Sequence, residues 1–164
     1  MTEKNIPAIN IITATPEHLP AIAALERASF SQPWSVESLA GMFANPNAYI
    51  LAAMDAAVLA GYLFTLEIAG ESCVTNLAVE PTYRERGIGA ALLCAALSGA
   101  QERGCECVTL EVREGNRAAV RLYEKHGFQT VGRRKAYYHA PVEDALLMTR
   151  YFSGGGDYQP ASII

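Results

Sequence analysis

The spacing of apolar residues along this chain switches between the two-residue period of strands and the three-to-four-residue period of helices. Asn10–Thr13 is a short apolar run and predicts a first strand. Thr15-Pro16-Glu17 reads as a helix start, with Thr15 capping and Pro16 in the first helical position. Leu19, Ile22, Ala23, Leu25 and Glu26 follow at helical spacing, which carries the helix to Ser29. Phe30–Trp34 is a loop holding the only tryptophan, and Ser35 caps a second short helix with Leu39, Met42 and Phe43 on one face. Tyr49–Met54, Val58–Glu67 and Cys73–Val79 read as three strands joined by tight turns, an antiparallel meander. Ile88–Arg103 has apolar residues at 88, 92, 95, 96 and 99, a buried helix face that Gly104 is placed to end. Cys107–Val112 alternates, with Cys107, Thr109 and Glu111 on one face and Val108, Leu110 and Val112 on the other. Asn116 caps a helix over Arg117–His126 that Gly127 closes. Phe128–Gly132 and Ala145–Phe152 read as the last strands, separated by a polar aromatic loop, Arg133–Asp144.

The order is β-α-α-β-β-β-α-β-α-β-β. A β-α-β crossover around residues 74–112 makes one strand pair parallel among antiparallel neighbours. The expected class is therefore α/β: a single mixed, mostly antiparallel sheet flanked by helices. At 164 residues the chain fits one domain, drawn at 1–152, with the glycine-rich stretch from Ser153 as a flexible tail at 153–164.

Composition narrows the classes of function. A hydrophobic content of 51% supplies a core, and a net charge of −4 argues against a general nucleic-acid binder. The N-terminal Met-Thr-Glu-Lys-Asn-Ile-Pro lacks the basic-then-apolar pattern of a secretory signal. Apolar stretches are too short to span a bilayer, which excludes a membrane partner of that kind. Cys73, Cys94, Cys105 and Cys107 offer one C-x-C pair and no histidine cluster, so no metal site is expected. Reduced thiols fit a cytoplasmic protein, with Cys107 a small hydrophobe in its strand. The sequence carries no signal for oligomeric state.

One stretch remains unexplained by packing: Val79–Leu92, V-E-P-T-Y-R-E-R-G-I-G-A-A-L. A strand stops at Pro81, a loop with Arg84 and Arg86 follows, and Gly87-Ile88-Gly89 opens the long helix. Backbone N–H groups at a helix start, with cations beside them, make a phosphate cradle. A dinucleotide fingerprint would need a third glycine, and Leu92 stands there. Glu111 falls near the distance expected of its ribose-binding acid, yet Glu80–Glu85 separates strand from glycine where the fingerprint has a tight turn. A Walker A loop fails because no Gly-Lys-Ser/Thr follows.

What is left is R-x-x-G-x-G, Arg84–Gly89, and it resembles the acyl-coenzyme A pyrophosphate loop of the GNAT acetyltransferase superfamily. The runs N-L-A-V-E-P-T-Y-R-E-R-G-I-G-A-A-L-L and L-E-V-R-E-G-N-R-A-A-V-R-L-Y-E-K-H-G-F, the closing R-R-K-A-Y-Y and E-D-A-L-L-M, and the early Pro33-Trp34-Ser35 match it in order, across residues 9–151. Within it they look most like the bacterial ribosomal-protein alanine N-acetyltransferases. His139 departs from that pattern, which more often has proline there.

The resemblance implies the acyl-CoA N-acyltransferase fold and direct transfer of acetyl from acetyl-CoA to the N-terminal α-amine of a protein, an alanine of a small-subunit ribosomal protein. It implies a cofactor site at Leu77, Ala78 and Val79, along Arg84, Glu85, Arg86, Gly87, Ile88, Gly89 and Ala90, and at Asn116. It also implies a strand bulge at Leu77–Val79. Glu111 matches the general base and Tyr123 the acid for the leaving thiolate. An α-amine, with a pKa of about 8, arrives mostly protonated, so a carboxylate is useful; a phenol, at about 10, holds its proton at neutral pH. The packing alternatives stay open here: a salt-bridged Glu111, a core Tyr123, an Asn116 that only caps. Trp34, Tyr137 and Tyr138 are the rigid aromatic walls expected for a peptide, or core residues. Acetylation of a small amine or a lysine side chain, and a silent acyl-CoA-binding module, are the rival functions.

Overall fold

A computed structural model of the chain describes residues 8–152. The seven N-terminal residues and the tail predicted as flexible lie outside the described residues. One seven-stranded sheet runs β1 (Ile9–Thr13), β2 (Ala48–Asp55), β3 (Val58–Ile68), β4 (Glu71–Val79), β5 (Cys107–Arg113), β7 (Glu143–Tyr151) and β6 (Gln129–Tyr138) in spatial order. Only β4 and β5 pair parallel, so the sheet is mixed and mostly antiparallel, as the alternation predicted. The connection between them is α3 (Ile88–Glu102), long enough to make the crossover that parallel strands require.

Helices cover both faces. The helices α1 (Leu19–Ser29) and α2 (Val36–Ala44) bury Ile22, Leu25, Leu39 and Met42 against Ile50, Ala52, Tyr62, Phe64 and Ala78. On the other face α3 and α4 (Arg117–Lys125) sit over Leu63, Val74, Val108, Leu110 and Val112. Leu92 and Leu93 of α3 are fully buried, and burial of side chains this size contributes about 1.5–3 kcal/mol each. Gly61 lets α3 come this close: a Cβ there would lie 2.9 Å from the Ala78 carbonyl and 3.3 Å from Leu92.

Local signals act where the sequence put them. The Ser35 hydroxyl accepts the Ser38 N–H at 3.1 Å, and Gly104 ends α3 at φ 84°. The first helix starts less regularly, with a 3₁₀ turn over Pro16–His18 ahead of α1. Two expectations need correction. The segment Arg133–Asp144 is not a long loop: β6 continues to Tyr138, β7 begins at Glu143, and only the tip between them turns. An edge strand exposed on both faces tolerates Arg133, Arg134 and Lys135, so its polarity does not signal a loop. The β4 bulge is not at Leu77–Val79 but at Thr75, where Asn76 pairs with Phe64 and Val74 with Thr65. The extra residue turns Val74 and Leu77, three apart, to the same α3-covered face.

Candidate active site

The bulge coincides with a parting of strands. The parallel pairing of β4 with β5 ends at Val74 and Leu110. From Thr75 on one side and Glu111 on the other, the strands diverge into a wedge. The hydrogen-bonding alternation says which backbone groups face it. Glu80 N–H donates to the Ala60 carbonyl at 2.8 Å, so Ala78 and Asn76 also spend their backbone groups on β3. Leu77 and Val79 then turn theirs toward β5 and into the wedge. The Val79 carbonyl receives the Arg84 Nε at 3.2 Å, which ties the following loop to the wedge's edge. Ala78 instead faces α1 and α2 with its side chain.

That loop closes on Gly87, whose φ of 77° is left-handed and whose missing Cβ would meet no atom within 4 Å. Glu85, at φ 62°, is also left-handed. The N–H groups of Ile88, Gly89 and Ala90 belong to the first turn of α3 and have no intrahelical acceptor. Arg86 lies over the Tyr83 ring at 5.3 Å and, among the described residues, makes no ion pair. A fifteen-residue helix, open space at its cap and the Arg86 guanidinium beside it fit a pyrophosphate.

Glu111 is the first β5 residue beyond the pairing, at the lip of the wedge. Val108, Leu110 and Val112 go to the core under α3 and α4, so Glu111 faces the opposite side, as the alternation predicted. Its side chain is 28% exposed, and its Oε1 lies 3.5 Å from Arg134 Nη2. The Glu111 carboxylate is the main cause that holds the Tyr137 phenol beside it above its ordinary pKa. Tyr137 is exposed and stands edge-on to Tyr138, with centroids 5.0 Å apart. Burial first, then the Glu111 charge, pushes the Tyr138 phenol up to about 12. Both tyrosines therefore stay neutral around Glu111 at pH 7.

Tyr123 lies on the other face of the sheet. It is 7% exposed, packs edge-on to Phe128 at 5.6 Å, and belongs to the core cluster of Leu110 and Val112. Burial, with a smaller contribution from Tyr138, pushes its phenol up to about 12. Asn116 caps α4, its Oδ1 accepting the Ala119 N–H at 3.2 Å. Glu111 and Tyr123 thus stand on opposite faces of one sheet, and the wedge is the opening between those faces.

Trp34 is placed otherwise than as a free wall. It is half-buried and packs against the α1–α2 core. Its backbone N–H donates to Glu26 Oε1 at 3.1 Å. Glu26 is 1% exposed and also accepts from the Tyr62 hydroxyl and from Asn76 Nδ2, at 3.2 Å to Oε1 and 3.4 Å to Oε2. Burial and this carboxylate raise the Tyr62 phenol far above its ordinary range. The cluster joins α1, β3, the loop before α2 and Asn76 beside the bulge. The sequence placed Glu26 on a helix face without giving it a role; an acid four residues after Ile22, on an apolar stripe, was the signal. A cavity of about 310 Å³ lies elsewhere, between Met42, Phe43, Tyr49, Gly99 and Arg103, and no residue of the wedge lines it.

Known proteins resemble this chain in sequence and in fold. The sequence profile of the Acetyltransferase (GNAT) family matches residues 19–128. A relative from Bacillus subtilis, provisionally named a ribosomal protein bS18-alanine N-acetyltransferase, is 35% identical over 133 residues, covering 80% of this chain and 88% of the relative. The Escherichia coli K12 ribosomal protein bS18-alanine N-acetyltransferase is 32% identical over 132 residues, 79% of this chain and 88% of the relative. The crystal structure of the ribosomal-protein-S18-alanine N-acetyltransferase from Escherichia coli superposes with a TM-score of 0.85 at 29% identity, covering 93% of this chain and 99% of that one.

Proposed function

The chain belongs to the GNAT acetyltransferase family, and from that premise we propose that it carries acetyl from acetyl-CoA to the N-terminal alanine of a ribosomal protein of the S18 type. It is an acetyl-CoA-dependent N-acetyltransferase. The observation that carries the mechanism is Glu111 and Tyr123 on opposite faces of the sheet with a wedge between them. The pyrophosphate rests on the first turn of α3, over Arg86–Ala90, with Arg84 and Arg86 adding charge. Leu77 and Val79 present backbone groups to the donor, and a donor N–H at the thioester oxygen is worth about 3–4 kcal/mol in the transition state. The acceptor amine enters from the Glu111 face, between the Tyr137–Tyr138 hairpin and the loop of Trp34. Glu111 takes a proton from the α-ammonium, directly or through a water. The neutral nitrogen attacks the carbonyl carbon, the C–S bond breaks, and the thiolate takes the Tyr123 phenol proton. The second proton of the attacking nitrogen leaves through water, which yields the amide and restores the phenol. Among the described residues no group of acids, histidines and cysteines is placed to hold a metal, and no step uses one. An acceptor of this kind places the reaction in the cytoplasm; among the described residues no helix is long and apolar enough to cross a membrane.

The deciding experiment offers acetyl-CoA with two short peptides, one with a free N-terminal alanine and one blocked and carrying lysine. Turnover of the free peptide alone is expected; equal turnover of the blocked one would return the reading to lysine or small-amine acetylation. Tyr123→Phe is expected to lower kcat about a hundredfold or more with little change in the acetyl-CoA KM, because a proton donor acts only as the thiolate departs. Its phenol, pushed up to about 12, stays protonated across the working range. The wild-type kcat should therefore show no alkaline fall at pH 9; a fall there, with Tyr123→Phe showing the same one, assigns the acid elsewhere.

A further inference from the structure

Two residues beyond Glu111, Arg113 ends β5 and reaches across to the hairpin between β6 and β7. Its Nη2 donates to the His139 carbonyl at 3.0 Å and its Nη1 to the Pro141 carbonyl at 2.9 Å. Nη1 also lies 3.5 Å from Glu143 Oε1, and the guanidinium stands 4.4 Å from the Tyr138 ring centre. One planar fork thus gathers both carbonyls of the hairpin tip and stacks on an aromatic wall, which a lysine cannot do. Glu143 continues the tie: its other oxygen accepts the Gly115 N–H, in the turn that leads to the Asn116 cap of α4. The same turn is held by Glu114 N–H to the Asp144 carbonyl at 3.1 Å and by Arg133, 2.6 Å from Glu114 and 3.3 Å from Asp144.

The hairpin so held carries Arg134, which lies 3.5 Å from Glu111, and Tyr137, whose phenol feels the Glu111 carboxylate. Its strand β6 is an edge strand, largely exposed, and its register with β7 slips between Arg134 and Tyr138, with Ala136 at φ 50°. Across that slip the ladder pairs only Tyr138, with Glu143, and the Ala136 N–H goes to the Asp144 side chain at 2.9 Å. We propose that Arg113, braced by Glu143, is a positioning residue for the acceptor: it fixes the Tyr137–Tyr138 hairpin over Glu111 and locks it to the turn before α4. This rests on the reading of Glu111 as the acceptor-side group. Arg113 touches no reacting atom; its effect passes through the hairpin. Glu143 makes the acceptor wall and the start of α4, which carries Tyr123, one unit.

Three measurements on the full chain test this, with Arg113→Ala and Glu143→Gln. Arg113→Ala is expected to raise the KM for a free-N-terminus alanine peptide about tenfold or more while the acetyl-CoA KM stays within about twofold. Millimolar guanidinium should restore part of the peptide affinity to Arg113→Ala and none to the wild type. Glu143→Gln keeps an oxygen for Gly115 but loses the charge facing Arg113, and should show the same split at smaller size. Hydrogen exchange of the amides over 136–145 should quicken in both variants with the rest of the chain unchanged. Equal rises in both KM values, or an unchanged peptide KM, overturn the proposal. Should Arg113→Ala unfold, Glu143→Gln carries the test alone. Hydrogen exchange reads the tether without turnover. Quickened exchange in the variants of a protein that leaves both peptides unacetylated therefore removes the proposed function alone, while exchange unchanged by either variant removes this inference.

Discussion

Glu111→Gln is expected to cut kcat/KM for an N-terminal alanine peptide about a hundredfold to ten-thousandfold at pH 7, the range general bases contribute. Glutamine matches the shape and keeps an acceptor oxygen beside Tyr137, so the hairpin loses only its ion pair with Arg134, which at 3.5 Å and partial exposure contributes little to stability. Acetyl-CoA affinity and melting temperature should therefore stay near wild type. The pH profile separates a base from a packing residue. An α-amine with a pKa of about 8 is about one-tenth neutral at pH 7, and the variant must wait for that fraction. Its rate should climb about tenfold per pH unit up to the amine pKa and then level, and the gap to wild type should narrow by pH 9. A constant gap across that range, or full activity at pH 7, removes Glu111 from proton transfer.

The order of elements was readable because each turn has its own chemistry. Gly104 and Gly127 stop helices at positive φ, and Ser35 and Asn116 start them with a side-chain acceptor. Glu111's face was readable because β5 alternates without interruption. The bulge was not, for a physical reason. Cys73, Thr75, Leu77 and Val79 look like one face of an even strand, and only Val74 and Leu77, both apolar and three apart, betray the shift. The bulge matters because it sits where β4 leaves β5, at the wedge that the proposed function uses. The hairpin was misread because hydrophobic alternation requires a buried face, and an edge strand with both faces wet has none. Arg113 is silent for a related reason. Its partners are the carbonyls of His139 and Pro141, which every residue type supplies.

The second large effect concerns stability, at the cluster the sequence left without a role. Glu26→Ala is expected to destabilise the fold by about 3–5 kcal/mol, a third or more of the stability of a typical domain. The loss is not the removed methylene groups. The Trp34 backbone N–H, the Tyr62 hydroxyl and the Asn76 amide all donate to this carboxylate, and leaving a buried donor unmet costs about 1–3 kcal/mol each. Asn76 suffers twice, since its Oδ1 is buried and already without a hydrogen-bond partner. Tyr62 cannot escape by ionising, because burial holds its phenol far above the ordinary range, so it remains a donor in search of an acceptor. Glu26→Gln keeps one acceptor oxygen, and Tyr62→Phe removes a donor together with its need, so each should cost less, about 1–2 kcal/mol. Urea unfolding of the three single variants and of Glu26→Gln with Tyr62→Phe measures this. The double variant should fall short of the sum of its singles, because the two changes remove one shared bond. Additive losses would mean that the carboxylate and the phenol act independently, and that the cluster does not tie β3 and the Trp34 loop to α1.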